Sequence, residues 1–148
     1  MNNNQLVEQQ LTMLMRRVQH LHDSTANDAI DVDRSAYGIM SRLADHGPQR
    51  LGALAHVFGL DPSTITRQVQ ALENAGMATR TVDPSDRRAS ILELTDKGAE
   101  VLNESREFRR ARLREILCDW DPADCSEFAR LLEKFNSSAD TLTGALES

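Results

Sequence analysis

Rings and thiols are scarce in this chain. Its 148 residues hold one Trp, one Tyr and four Phe, 4% aromatic in all. The apolar content is mostly Leu, Ala, Val and Ile, which suits packed helices. Cys118 and Cys125 are the two cysteines, too few and too late in the chain for a disulfide framework, and they match no zinc-ligand spacing. No apolar run approaches the ~20 residues needed to span a bilayer. The N-terminal MNNNQLVEQQ lacks the basic segment and apolar stretch of a signal peptide, so the expectation is a cytoplasmic protein with no membrane partner. Catalytic patterns are missing as well. No serine–histidine motif, glycine-rich phosphate loop or paired-carboxylate pattern stands out, which predicts neither enzyme nor cofactor.

The stretch Asp61–Gly98, DPSTITRQVQALENAGMATRTVDPSDRRASILELTDKG, is the most informative part of what is present. Asp61 can N-cap a helix whose first position is Pro62, where a missing N–H costs nothing. Ile65, Val69 and Leu72 recur at helical spacing and make its buried stripe. The opposite face carries Ser63, Thr64, Thr66, Arg67 and Gln70, side chains that hydrogen-bond base edges and phosphates in a major groove. Asn74, Ala75 and Gly76 end the helix, with Gly76 suited to the left-handed C′ position. Strands follow over roughly Ala78–Val82 and Ser90–Leu94, and Asp83, Pro84, Ser85, Asp86, Arg87 and Arg88 between them read as a turn too polar to be buried. The short helix Leu51–Val57 and the turn Phe58-Gly59-Leu60 precede the groove-facing helix. Together these elements predict a winged helix-turn-helix, its helix aimed at a major groove and its wing at an adjacent minor groove.

The rest of the chain reads as helices. The first runs from about Asn4 to His22, with Val7, Leu11, Leu14, Val18 and Leu21 in a heptad-like seam suited to a partner chain. A polar link, Asp23–Asp31, leads to a helix over Asp33–Ala44, with Tyr37, Met40, Leu43 and Ala44 inward and His46-Gly47-Pro48 as its stop. Thr95 caps a long helix reaching about Cys118, where arginines interleave with Glu104, Glu107 and Glu115 at pairing distance. Asp121-Pro122 opens a last helix with a second seam, Phe128, Leu131, Leu132, Phe135, Ala139 and Leu142. The net charge of −6 divides unevenly: residues 1–32 carry −2, 33–98 are neutral and 99–148 carry −4. A neutral reading unit implies modest non-specific affinity and few phosphate contacts per subunit.

In this order of elements the chain resembles the MarR family of winged helix-turn-helix regulators over essentially its whole length. The most specific segments are RLGALAHVFGLDPSTITRQVQALENAGMATR and DPSDRRASILELTDKG. The second holds an Asp-x-Arg wing signature, Asp86, Arg87 and Arg88, followed by Leu-Thr-x-x-Gly. The resemblance implies a homodimer on a palindromic double-stranded operator, most often a repressor released by a small phenolic ligand or an oxidant. It implies that Arg88 enters the minor groove with Asp86 fixing its aim, that Arg87 meets phosphate, and that Ser63, Thr64, Thr66, Arg67 and Gln70 face the major groove. The plainer reading of Asp86 and Arg88 is a salt bridge that shapes the turn.

Family effectors occupy a cleft beside the dimer helices, which makes Arg16, His20, Tyr37 and Met40 candidate ligand residues, with Arg17 and His22 nearby. Tyr37 and Met40 have core roles as their plainer reading, the histidines surface roles. Peroxide-sensing members use a first-helix cysteine, absent here, while Cys118 and Cys125 flank a turn and leave a redox-responsive regulator as an alternative. His20 and His22 point to different sides of a helix, and with His46 and His56 elsewhere no metal site is predicted. The expected architecture is therefore mainly α with a small two-to-three-stranded wing: a dimerisation helix and link at 1–32, a winged helix-turn-helix at 33–98 and dimerisation helices at 99–148, in one compact chain. The rival reading is a winged helix used only for protein contact, which would more often carry apolar residues where Arg67 and Arg88 stand.

Overall fold

The computed structural model describes residues 2–23 and 34–146, with side chains described at 2–20 and 36–142. Most of the polar link, and the side chains of Leu21 and His22, lie outside the described residues. Nine elements follow one another: α1 Asn3–Asp23, α2 Arg34–His46, β1 Gln49–Arg50, α3 Leu51–Phe58, α4 Pro62–Asn74, β2 Ala78–Asp83, β3 Asp86–Leu94, α5 Asp96–Leu117 and α6 Pro122–Leu146. The strands form one antiparallel sheet in the order β1-β3-β2. The fold is mainly helical with a three-stranded wing sheet, as the sequence predicts. The chain divides into two compact units, Met1–Arg109 and Arg110–Ser148.

Local signals set the bounds of α4. The Asp61 carboxylate accepts the Thr64 N–H at 2.7 Å, Pro62 stands in the first turn, and Gly76 takes the left-handed conformation at φ 73°. Gly59 does the same at φ 60° between α3 and α4, a geometry that costs a Cβ-bearing residue and that makes the turn tight. The core of the first unit joins Ile39, Met40 and Leu43 of α2, Leu54 of α3, Ile65, Val69 and Leu72 of α4, Met77, Ala78 and Leu92 of the sheet, and Val101 and Leu102 of α5. Ala44, expected inward, is exposed. The buried stripe of α2 runs through 39, 40 and 43, and Ala44 lies ~40° past Met40, just outside its edge.

The motif Leu-Thr-x-x-Gly has a visible purpose. Thr95 Oγ1 accepts the Gly98 N–H at 3.0 Å, capping α5, and donates to the Gly76 carbonyl at 2.7 Å. Lys97 Nζ donates to the Ala75 carbonyl at 2.9 Å. Gly98 packs so closely that any Cβ there would collide with the Met77 carbonyl oxygen. The first turn of α5 thus satisfies the orphan carbonyls just past α4 and holds the end of that helix in place. Farther along, Arg106 pairs with Asp45 at 3.0 Å and the Arg109 guanidinium lies 3.6 Å from the Tyr37 ring centre, both joining α5 to α2.

The wing departs from the sequence reading in two ways. Strand β3 begins at Asp86, so Asp86, Arg87 and Arg88 belong to a strand and Pro84-Ser85 alone make the turn. Asp83, read as part of an exposed turn, is buried, with 4% of its surface accessible. A carboxylate tolerates that place because its oxygens are fully engaged: by the Ser85 N–H at 2.9 Å, the Ser85 hydroxyl at 2.8 Å and Arg50 at 2.5 Å. Charged groups are buried only when paired in this way.

In the second unit, Trp120 and Phe128 contact each other with ring centres 5.6 Å apart, and Glu127 and Arg130 pair within α6. The apolar seams stay largely uncovered. Val7, Leu14 and Val18 of α1 and Phe128, Leu131, Phe135 and Leu142 of α6 are all exposed.

Candidate nucleic-acid interface

The outer face of α4 forms a shallow surface lined by Pro62, Ser63, Thr66, Arg67, Gln70, Ala71 and Asn74. Its hydrogen-bonding directions are preset. The Ser63 hydroxyl donates to Asp61 at 2.7 Å, leaving its lone pairs to accept. Thr66 donates to the Pro62 carbonyl at 2.7 Å and so also presents an acceptor outward. Gln70 Nε2 donates to Asn74 Oδ1 at 3.0 Å, which orients its amide. Arg67 makes no ion pair with another described residue, so its guanidinium fork remains available for a base edge or phosphate. Ser63, Thr66, Arg67 and Gln70 are therefore brought together as the sequence predicts, and Asn74 joins them. Thr64 does not line this surface; it is half-buried, with its N–H on Asp61.

Asp61 anchors the surface electrostatically. The Ser63 hydroxyl, then the Thr64 N–H, hold its carboxyl down at about 2 against the opposing effect of desolvation. It stays ionised at the positive end of α4. Near the C-terminal end of this helix Glu73 accepts from Arg80 of β2, Nε at 3.0 Å and a terminal nitrogen at 2.5 Å, which ties α4 to the wing.

On the wing, Asp86 Oδ1 accepts the Arg88 backbone N–H at 3.0 Å and lies 3.5 Å from Arg88 Nε. The Arg88 side chain is otherwise 94% exposed. The carboxylate holds the backbone firmly and the guanidinium loosely. Arg87 and Arg88 are both exposed and lie in the stretch of β3 past Ser90 where the pairing register shifts.

One residue here escaped the sequence reading. Arg50, 53% exposed, reaches from the junction of β1 and α3 to Asp83 and to Ser85 Oγ at 3.2 Å. The Ser85 N–H and hydroxyl, with the Arg50 charge, hold the Asp83 carboxyl below its usual range although burial opposes them. Arg50 and Arg88 also line one hollow, with Leu51, Gly52 and Ala53 on one side and Ala89 and Ser90 on the other. The only sequence signal was an arginine where a helix start ordinarily carries a capping Ser, Thr, Asp or Asn.

The effector candidates are not alike. Met40 is 0% exposed and belongs to the core with Ile39 and Leu43 on the buried stripe, the plainer of its two readings. Tyr37 is half-buried against Arg109, and Arg16 and His20 are exposed on α1. Cys118 is exposed, Cys125 half-buried, and both are free thiols. Among the described residues no group of three or more His, Cys, Asp or Glu is placed to hold a metal ion, and no helix is long and apolar enough to cross a membrane.

The MarR family model matches residues 32–90, from the start of α2 into the wing. Over 134 residues the chain is 34% identical to the uncharacterized HTH-type transcriptional regulator YxaD of Bacillus subtilis, covering 90% of this chain and 93% of that one. The chain belongs to the MarR family. It is 30% identical over 100 residues to the HTH-type transcriptional repressor NicR of Pseudomonas putida, with 66% of this chain and 63% of that one covered. Among solved structures, transcriptional regulator Tm0710 from Thermotoga maritima superposes with a TM-score of 0.68 at 29% identity, covering 93% of this chain and 96% of that one. This MarR-family protein is thus a DNA-binding transcriptional regulator and not an enzyme.

Proposed function

We propose that this MarR-family chain acts as a homodimeric repressor on a palindromic operator and is released by a small phenolic or apolar acid. The observation that carries the DNA side of this reading is the outer face of α4. Ser63, Thr66, Arg67 and Gln70 share it, and internal hydrogen bonds orient Ser63, Thr66 and Gln70 so that acceptors and an amide face outward beside the Arg67 guanidinium, groups that match base edges and phosphates. Arg88, exposed on the wing, supplies the cation that a narrow A·T-rich minor groove attracts. The repressing sign is supported by likeness to NicR, named a repressor. The effector reading draws on family membership and on the half-buried Tyr37, which lies against Arg109 of α5.

Footprinting on the promoter of the chain's own operon tests the proposal. Two protected half-sites with centres ~10 bp apart and a dyad between them are expected, with protection extending over both flanks. Protection of one half-site, or an operator with no dyad, overturns it. Adding benzoate or a simple phenolic acid should release the DNA in a gel shift.

A further inference from the structure

We propose that Arg50 is a positioning residue for operator recognition: its ion pair with buried Asp83 braces the wing and so sets where Arg88 meets DNA. The proposal rests on the wing being a groove-entering element and adds the part that holds it there.

Strand β1 pairs with β3 only at Gln49↔Leu92 and Arg50↔Ile91. Beyond Ile91 the wing continues through Ser90, paired with Val82, to Asp86, paired with Asp83, with a register shift between and β2 as its one strand partner among the described residues. A two-stranded ribbon by itself is marginally stable, so this outer part of the wing lacks the support its base receives. Arg50 stands at the last paired position of β1 and spans that gap. Its guanidinium reaches the final residue of β2, Asp83, and the turn residue Ser85, 35 positions away in sequence. The acceptor is built for it. Asp83 is 4% exposed, and its other oxygen takes the Ser85 N–H and hydroxyl, so the carboxylate and the turn form one rigid receiver.

The position of Arg50 adds a second argument. It is the residue immediately before α3, with extended backbone (φ −67°, ψ 143°), and it gives that helix no side-chain cap hydrogen bond. Ser, Thr, Asp or Asn would serve the helix better. A local rule broken at an exposed site points to a use elsewhere. Arg50 and Arg88 line the same hollow, so Asp83 also offsets the repulsion that two guanidinium groups on one side of the wing would otherwise feel.

The experiment compares operator duplexes with A·T-rich flanks under the wings against duplexes with those flanks replaced by G·C. The wild type should prefer the A·T flanks by about fivefold or more, within the range of a base-pair change in a specific site. Arg50→Ala should bring this preference close to unity while binding to the G·C-flanked duplex changes much less. Arg50→Lys, which keeps the charge but loses the planar fork, should restore only part of it. Asp83→Asn tests the brace from the other end and should mimic Arg50→Ala; thermal melting by circular dichroism identifies whichever variant remains folded. If Arg50→Ala weakens both duplexes by one factor and leaves the preference intact, the brace is overturned and Arg50 is a phosphate contact. Arg88→Ala separates the two levels: if it leaves the preference unchanged, the wing reading fails and this proposal with it; if only Arg88→Ala removes the preference, the brace alone fails.

Discussion

Asp61 shows how one side chain can serve both fold and surface. It caps α4 through the Thr64 N–H and fixes the hydroxyl of Ser63. Its carboxyl is held at about 2, below the ~3.9 of a free aspartate. A depressed folded-state value means the stabilisation is fully present above pH ~4 and is lost as pH falls through about 2. Acid titration followed by circular dichroism should show part of the loss of helicity in that window. Asp61→Asn, which keeps a capping oxygen, should flatten that limb without abolishing the fold at neutral pH. Asp86 is tested by sign. Arg88→Ala should weaken operator binding by ~1–3 kcal/mol. Asp86→Ala removes a negative charge near DNA, so long-range electrostatics favours tighter binding, whereas loss of the N–H bond to Arg88 frees the strand start and costs affinity. Because the bond to the Arg88 backbone is the shorter contact, weaker binding is expected; tighter binding across a salt series would leave Asp86 no aiming role.

At the scale of elements, the join between α4 and α5 controls the geometry of the reading face. Gly98→Ala places a methyl group against the Met77 carbonyl, and relief requires α5 to move away from the end of α4. Overpacking of this kind costs ~1–3 kcal/mol or more. The variant should show a lower urea midpoint and, where folded, an operator affinity reduced beyond what stability explains. This join also marks how far the sequence could be read. Helix α4 was legible from end to end because Asp61, Pro62 and Gly76 act locally and Ile65, Val69 and Leu72 repeat at one period. The residues of its outer face followed from the same wheel, apart from Thr64 at its edge. Two-residue β1 was invisible, since no periodicity exists at that length. The burial of Asp83 was unreadable for another reason: its partner Arg50 is distant in sequence, and nothing in the turn itself announces a cation. Met40 was ambiguous because an apolar helix face looks the same whether it meets a core or a ligand.

For the whole molecule, the unpaired seams of α1 and α6 are the main unsatisfied feature. Val7, Leu14 and Val18 on one helix and Phe128, Leu131, Phe135 and Leu142 on the other leave apolar stripes in contact with water. Stripes of that kind mark association surfaces, and sedimentation at micromolar protein should give a dimer mass. A monomer mass independent of concentration would contradict this. Truncation after Asp121 removes the α6 seam and should lower both dimer content and operator affinity, since two linked half-sites bind far better than one.

The brace at the wing has a consequence for how such a protein can change over time. Strands β2 and β3 pair regularly from Ala78↔Leu94 to Val82↔Ser90, their side chains alternating between two faces, and the register shift between Val82 and Asp83 then sets the face from which Asp83 meets Arg50. A single residue inserted into either strand reverses every face beyond it, sending Asp83 outward and removing Arg88 from the hollow it shares with Arg50. Two residues added to each strand restore both the pairing and the faces beyond it. The permissible lengths of this hairpin are therefore quantised, and lineages that vary its reach should do so in even steps.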